Sequence, residues 1–220
     1  MGTVVTTFVA MLVAAPLGIA GALFISEIAP RWAREIIKPA VETLAGIPSI
    51  VYGFIGFVMI NNYFSNELST GFGPLVAIGF MIGLMALPTV VSVAEDALNS
   101  VPESMKSGSL AMGATDWQTM KSVTIPAAFS GVSAAVLLGL GRAMGETMAK
   151  ILPEPLYDIF ESTETLTTLI ASGHGPAVGT KYYMSALFVA GSILFIIVTG
   201  VGVVSKLIER RMERKLGGKK

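Results

Sequence analysis

Arg142 and Glu146 lie in the run GLGRAMGETMA, residues 139–149, at the end of an uncharged stretch that reaches back to Ser122. An arginine at the centre of a membrane-spanning helix costs about 2.5–3.5 kcal/mol on insertion scales, and such residues face the bundle interior and mark a solute path. The two residues are four apart, so a helix would place them on one face. Gly141 and Gly145 form a GxxxG that would let a neighbouring backbone approach closely at that level. The alternative is structural: Arg142 near the outer boundary, snorkelling to the headgroups with Glu146 as its neutralising partner. Position alone leaves the two readings open. His174 is the only histidine and there is no cysteine. A lone histidine flanked by glycines makes neither a metal site nor a proton relay, so no metal is expected.

The elements that must position this pair are membrane helices. The chain is 53% hydrophobic and 14% charged, with its charges gathered between long apolar runs, the pattern of a polytopic membrane protein. Uncharged runs cover residues 2–26, 43–66, 68–94, 122–141 and 182–205. Each can supply the roughly 20 residues that a helix needs to cross hydrocarbon. Five spans are therefore expected. The first is too long for the apolar region of a signal peptide and lacks a basic start, so it reads as a retained span.

Charge placement orients the bundle. The tail carries Lys206, Arg210, Arg211, Arg214, Lys215, Lys219 and Lys220, which the positive-inside rule puts in the cytoplasm. Counting back makes 27–42 and 95–121 cytoplasmic, with Arg31, Arg34, Lys38, Lys106 and Lys121. Twelve basic residues then lie inside against two outside, Lys150 and Lys181, with Arg142 in the membrane. The N-terminus falls outside, and the odd span count leads us to expect that a further span precedes Met1.

Two loops stand out. The cytoplasmic one, EDALNSVPESMKSGSLAMGATDWQTMKSVTIPAA over 95–128, offers Pro102 as a helix start, a break at Gly113 and a fresh start near Thr115 or Asp116. This predicts two short helices separated by a turn, lying along the membrane surface, with Trp117 at the interface. On residues alone an ordinary amphipathic connector fits as well. The outer loop, 150–181, combines Pro153 and Pro155 with Glu154, Asp158, Glu161 and Glu164 and should be irregular. Pro48 with Gly46, Gly53 and Gly56 should kink the second span or serve its packing, and Pro74 and Pro88 should terminate the third. No P-loop, HExxH or GxSxG motif occurs. Energy for uphill movement must come from another subunit or an ion gradient.

The cytoplasmic loop resembles the signature of binding-protein-dependent ABC permeases: Glu-Ala-Ala, three residues, Gly, nine residues, Ile, one residue, Leu-Pro. Gly113 takes the glycine position, Val123 and Ile125 the apolar pair, and Pro126 closes the motif. Ser107, Gly108 and Ser109 stand where the signature opens with Glu-Ala-Ala. The resemblance implies that Ser107, Gly108, Ser109, Gly113, Ala114, Thr115, Asp116, Trp117 and Pro126 belong to coupling helices that dock into a cleft of an ATPase subunit. LAGIPSIVYGFIG and GLGRAMGETMA narrow the likeness to phosphate-specific permeases of the PstC kind, in which Arg142 and Glu146 would line the translocation path. Lys150 and Pro153 depart from the apolar continuation of that pattern.

The resemblance implies an all-α polytopic bundle with the type I importer (MetI-like) permease fold. Residues 1–205 would form the permease domain, with coupling loop 95–126 and outer loop 150–181, followed by a basic cytoplasmic tail over 206–220. The expected function is that of a permease subunit in the cell membrane, without an active site or bound cofactor, importing phosphate. It would work with a second, PstA-like permease, an ATPase dimer that holds ATP and Mg, and an external phosphate-binding protein. The alternatives are a permease for sulfate or molybdate, a secondary transporter or channel without an ATPase, and a non-transporting structural paralogue.

Overall fold

A computed structural model describes residues 2–59, 73–146 and 181–216, and all of its elements there are helical. The predicted outer loop, including His174, lies outside these residues except for Lys181. Helix α1 (Gly2–Leu23) continues into a wider π turn, Phe24–Ile28. Helices α2 (Arg31–Gly46), α3 (Ser49–Met59) and α4 (Gly73–Asn99) follow. Then come α5 (Glu103–Ala111), α6 (Asp116–Thr119), a second π turn at Met120–Thr124, α7 (Ile125–Gly145) and α8 (Lys181–Leu216).

Four of these helical stretches are long and apolar enough to cross a bilayer: Val4–Ile28, Ile78–Asn99, Asp116–Gly145 and Phe188–Ile208. The expected span over 43–66 is divided. Residues 43–46 end α2, Ile47 is extended with ψ 127, and α3 starts after Pro48. The proline ring pushes the preceding residue out of the helical region, so Pro48 separates two helices instead of kinking one. The rest of that run, 60–66, lies outside the described residues. Pro88 departs from expectation in the other direction. It sits inside α4, which runs on to Asn99, and its side chain is fully buried. The ring removes one backbone donor, which packing by neighbouring helices makes tolerable in a membrane bundle.

Small residues let the helices approach closely. Ala10, Ala14, Gly18 and Ala22 of α1, together with Ala86, Val90, Ala94 and Leu98 of α4, are buried at four-residue intervals, which is one face of each helix. The approach of α1 to α4 uses a GxxxG in α4. A Cβ on Gly83 would lie 2.8 Å from the Ala10 carbonyl oxygen, and one on Gly79 would lie 2.6 Å from Val9 Cβ. The GxxxG singled out near Arg142 behaves otherwise: apart from the adjacent backbone of its own helix, no described atom lies within 4 Å of a Cβ built on Gly141 or Gly145. Gly83→Leu is expected to wedge α1 from α4 and cost about 1–3 kcal/mol, read as earlier loss of folded protein on heating.

Val90 fixes the rotation of α4. Its side chain fills the space beside Gly18 of α1 and Gly139 of α7, 2.7 and 2.5 Å from where their Cβ atoms would be. Outward-facing residues are large and apolar, among them Phe8 and Leu12 on α1 and Phe188, Phe195 and Ile196 on α8. A helix surface in hydrocarbon requires such residues.

Candidate functional site

Arg142 occupies the last turn of α7 and is half-buried. Its Nη1 donates to Thr89 Oγ1 at 2.8 Å and its Nη2 to the Ala45 carbonyl at 3.5 Å. The Ala45 carbonyl belongs to the last turn of α2, where backbone oxygens lack intrahelical donors and carry the negative end of the helix dipole. Thr89 directly follows Pro88 and precedes Val90, so the packing of Val90 aims its hydroxyl at the guanidinium. Three helices thus meet at one cation. Both acceptors are neutral, so they orient the guanidinium without cancelling its charge. A planar guanidinium binds an oxyanion through paired N–H donors.

Glu146 stands at the end of α7, where the chain leaves helical geometry with ψ 123. The four-residue spacing from Arg142 is therefore not continued as helix through Glu146, and the expected shared helical face stops at Gly145.

The segment from Pro102 to Pro126 is built by local chemistry. Pro102 precedes the first residue of α5, and Gly113 follows its cap with φ +86. Gly113 N–H donates to the Leu110 carbonyl at 2.9 Å and Ala114 N–H to the Ser109 carbonyl at 3.3 Å. These two bonds form a Schellman motif, whose left-handed position favours glycine. Thr115 then opens α6 with a capping box: Gln118 N–H donates to Thr115 Oγ1 at 3.3 Å, and Thr115 N–H to Gln118 Oε1 at 2.9 Å. The hydroxyls of Ser109 and Thr119 lie 3.0 Å apart and tie α5 to α6.

The second expected short helix is in fact the first turn of a 30-residue helix, Asp116–Gly145. At the π turn Ile125 N–H bonds Met120 O, and the extra residue absorbs Pro126 without a break. Ser107, Gly108, Asp116, Trp117 and Pro126 are exposed, and Ser109 and Ala114 half-exposed. Met105, Leu110, Met112 and Trp117 add an exposed apolar surface, with Met112 at 89%.

The sequence reading missed a polar cluster that joins α5 to the bundle. Lys106 Nζ lies 2.7 Å from Glu27 Oε1. Ser26 Oγ donates to Asn99 Oδ1 at 2.9 Å, and Asn99 Nδ2 donates to Glu95 Oε1 at 2.6 Å. Lys38 Nζ closes the chain at 2.7 Å from Glu95 Oε2 and 3.3 Å from Asp96 Oδ1. Arg34 Nη2 donates to the Ser26 carbonyl. The bond to Glu95 raises the Lys38 pKa above its usual 10.5 against an opposing effect of burial. Glu95 is 2% exposed. A carboxylate in an otherwise apolar segment was the available signal, because such groups are retained only with partners.

The family model described as "Binding-protein-dependent transport system inner membrane component" matches residues 14–214. A probable ABC transporter permease protein of Bacillus subtilis, YqgH, is 40% identical over 211 residues, covering 89% of this chain and 67% of that protein. The phosphate transport system permease protein PstC of Xylella fastidiosa (strain Temecula1) is 35% identical over 98% of this chain and 74% of its own length. PstC of Pasteurella multocida is 34% identical over 100% and 76%. A crystal structure of an amino acid ABC transporter with histidines shares the fold, with a TM-score of 0.65, 14% identity, and coverage of 95% of this chain and 90% of that one.

Proposed function

The chain belongs to the binding-protein-dependent transport system inner membrane components, and from that premise we propose that it is the permease subunit of an ATP-driven importer of inorganic phosphate. It is a multi-pass membrane protein and a transport component. The substrate assignment rests on the relatives named phosphate permeases, which align over nearly the whole chain. The observation that carries the site is Arg142, held by two neutral acceptors where three helices meet. Phosphate offers several acceptor oxygens to such a group, and the Thr89 hydroxyl is a second polar contact in reach.

The chain itself is non-catalytic and binds no cofactor; ATP and Mg belong to a partner ATPase dimer. The exposed apolar surface of Met105, Leu110, Met112 and Trp117 around the Gly113 turn supports docking of that ATPase, with the C-terminal tail on the same, cytoplasmic side. A homologous PstA-like permease completes the path, and an external phosphate-binding protein delivers the solute. Glu146, just past the end of α7, belongs to the outer part of the path and keeps phosphate from binding too tightly.

The test is uptake in vesicles that contain this chain with its partner subunits. Phosphate accumulation is expected to require ATP and the binding protein and to persist when the ion gradients are collapsed. Sulfate and molybdate are expected to compete weakly. Uptake that follows a proton or sodium gradient, or that prefers sulfate, would replace this reading.

A further inference from the structure

The polar cluster at the cytoplasmic end and the Arg142 site are joined by the same two helices. Lys38 and Ala45 both belong to α2, separated by about 10 Å at the helical rise of roughly 1.5 Å per residue. Lys38 pairs with Glu95, and the Ala45 carbonyl accepts from Arg142. Glu95 and Thr89 both belong to α4, separated by about 9 Å on the same measure. Glu95 holds Lys38 and Asn99, while Thr89 holds Arg142. At the other end Lys106 of α5 grips Glu27 of the first π turn. The one hydroxyl proton of Ser26 is shared between two acceptors, Asn99 Oδ1 at 2.9 Å and Glu27 Oε1 at 3.2 Å.

These contacts have the chemistry of a linkage and not of scattered surface pairs. Glu95 is 2% exposed, and the side chains of Lys106 and Glu27 are 16% and 15% exposed. Charged partners removed from water hold their geometry far more firmly than solvated ones. The cluster adjoins a wider, five-residue π turn, an irregular element frequent at functional sites. A displacement of α5 therefore meets stiff contacts on its way to α2 and α4, and each of those helices carries an acceptor of Arg142.

We propose that the chain Lys106–Glu27–Ser26–Asn99–Glu95–Lys38 carries movement of α5 to the acceptors of Arg142, and so sets where the guanidinium lies when the partner ATPase binds or releases nucleotide. Lys106, Glu27 and Glu95 are positioning residues that act through α2 and α4. The proposal rests on the reading of α5 as the ATPase contact. Its test reads the position of Ala45 and not phosphate movement, so it can fail or stand apart from the assignment of Arg142 to the solute path.

The chain has no cysteine, so Ala45→Cys introduces one thiol while keeping the backbone carbonyl. In the assembled complex, alkylation of that thiol is followed by the mass of this chain, with and without ATP. Its rate is expected to differ about tenfold between the two states, within the usual range of coupling between sites. Glu27→Gln and Lys106→Met are each expected to shrink that difference to about twofold or less, and combining them should shrink it no further. The charge-exchanged pair, Glu27→Lys with Lys106→Glu, should restore it, which separates lost coupling from lost assembly. The proposal is overturned if Ala45→Cys shows no nucleotide-dependent change, if either single variant keeps the full change, or if the two losses add. Should Arg142→Ala transport phosphate normally, the site assignment falls while the labelling result still decides the linkage.

Discussion

Arg142→Ala is expected to lower phosphate uptake by about a hundredfold or more, with the complex still assembled. Loss of one partner from a desolvated charged contact is worth about 2–5 kcal/mol, and the contact at issue is the one between the guanidinium and the passing anion. Assembly survives because the resident partners of Arg142 are a hydroxyl and a carbonyl. Neither is left as an unpaired charge when the guanidinium goes. Arg142→Lys separates charge from geometry. An ammonium keeps the positive charge but loses the planar fork that engages two oxygens, so an intermediate loss of about tenfold is expected. The measurement is initial uptake rate of labelled phosphate, normalised to assembled complex. Normal transport by Arg142→Ala would assign the residue to helix packing alone.

Lys38→Met should be the most destabilising single change in the cluster around Glu95. It leaves the Glu95 carboxylate, 2% exposed, with the Asn99 amide as the partner that remains. Breaking a buried pair from one side costs about 3–5 kcal/mol; because Lys38 is 37% exposed on its side chain, about 2–3 kcal/mol is expected here. Adding Glu95→Gln removes the stranded charge while its amide oxygen still accepts from Asn99, so the double variant should recover most of the loss. Thermal inactivation of the purified complex in detergent measures both. Equal losses in the single and double variants would mean that Lys38 acts by packing its aliphatic stem.

What could be read from the chain alone was local chemistry. The apolar runs announced the spanning helices, because hydrocarbon tolerates only segments that satisfy their own backbone. The turn at Gly113 and the start at Thr115 were legible because a left-handed glycine and a capping threonine act on groups within a few residues. Arg142 was conspicuous because a charge in an apolar run is costly wherever it ends up. The resemblance to the coupling signature drew on the same short segment.

What the tertiary structure decided was which distant groups meet. Arg142 finds Thr89 and Ala45 at separations of 53 and 97 residues, and Lys106 finds Glu27 at 79. No period or spacing encodes such pairs. They follow from how α1, α2, α4 and α7 pack, and that packing turns on whether a Cβ fits at Gly79, Gly83 and Gly139. The prolines show the same division. Pro48 and Pro88 carry the same local penalty, yet Pro48 separates two helices while Pro88 lies inside one. The difference is surroundings: Pro88 is buried among neighbouring helices and α4 continues past the missing bond, whereas Pro48 is exposed between α2 and α3. Sequence by itself determined that this chain crosses a membrane, where the turn at Gly113 lies and which cation is out of place; packing alone determined what that cation touches, because contact between helices depends on side-chain volume at positions far apart in the chain.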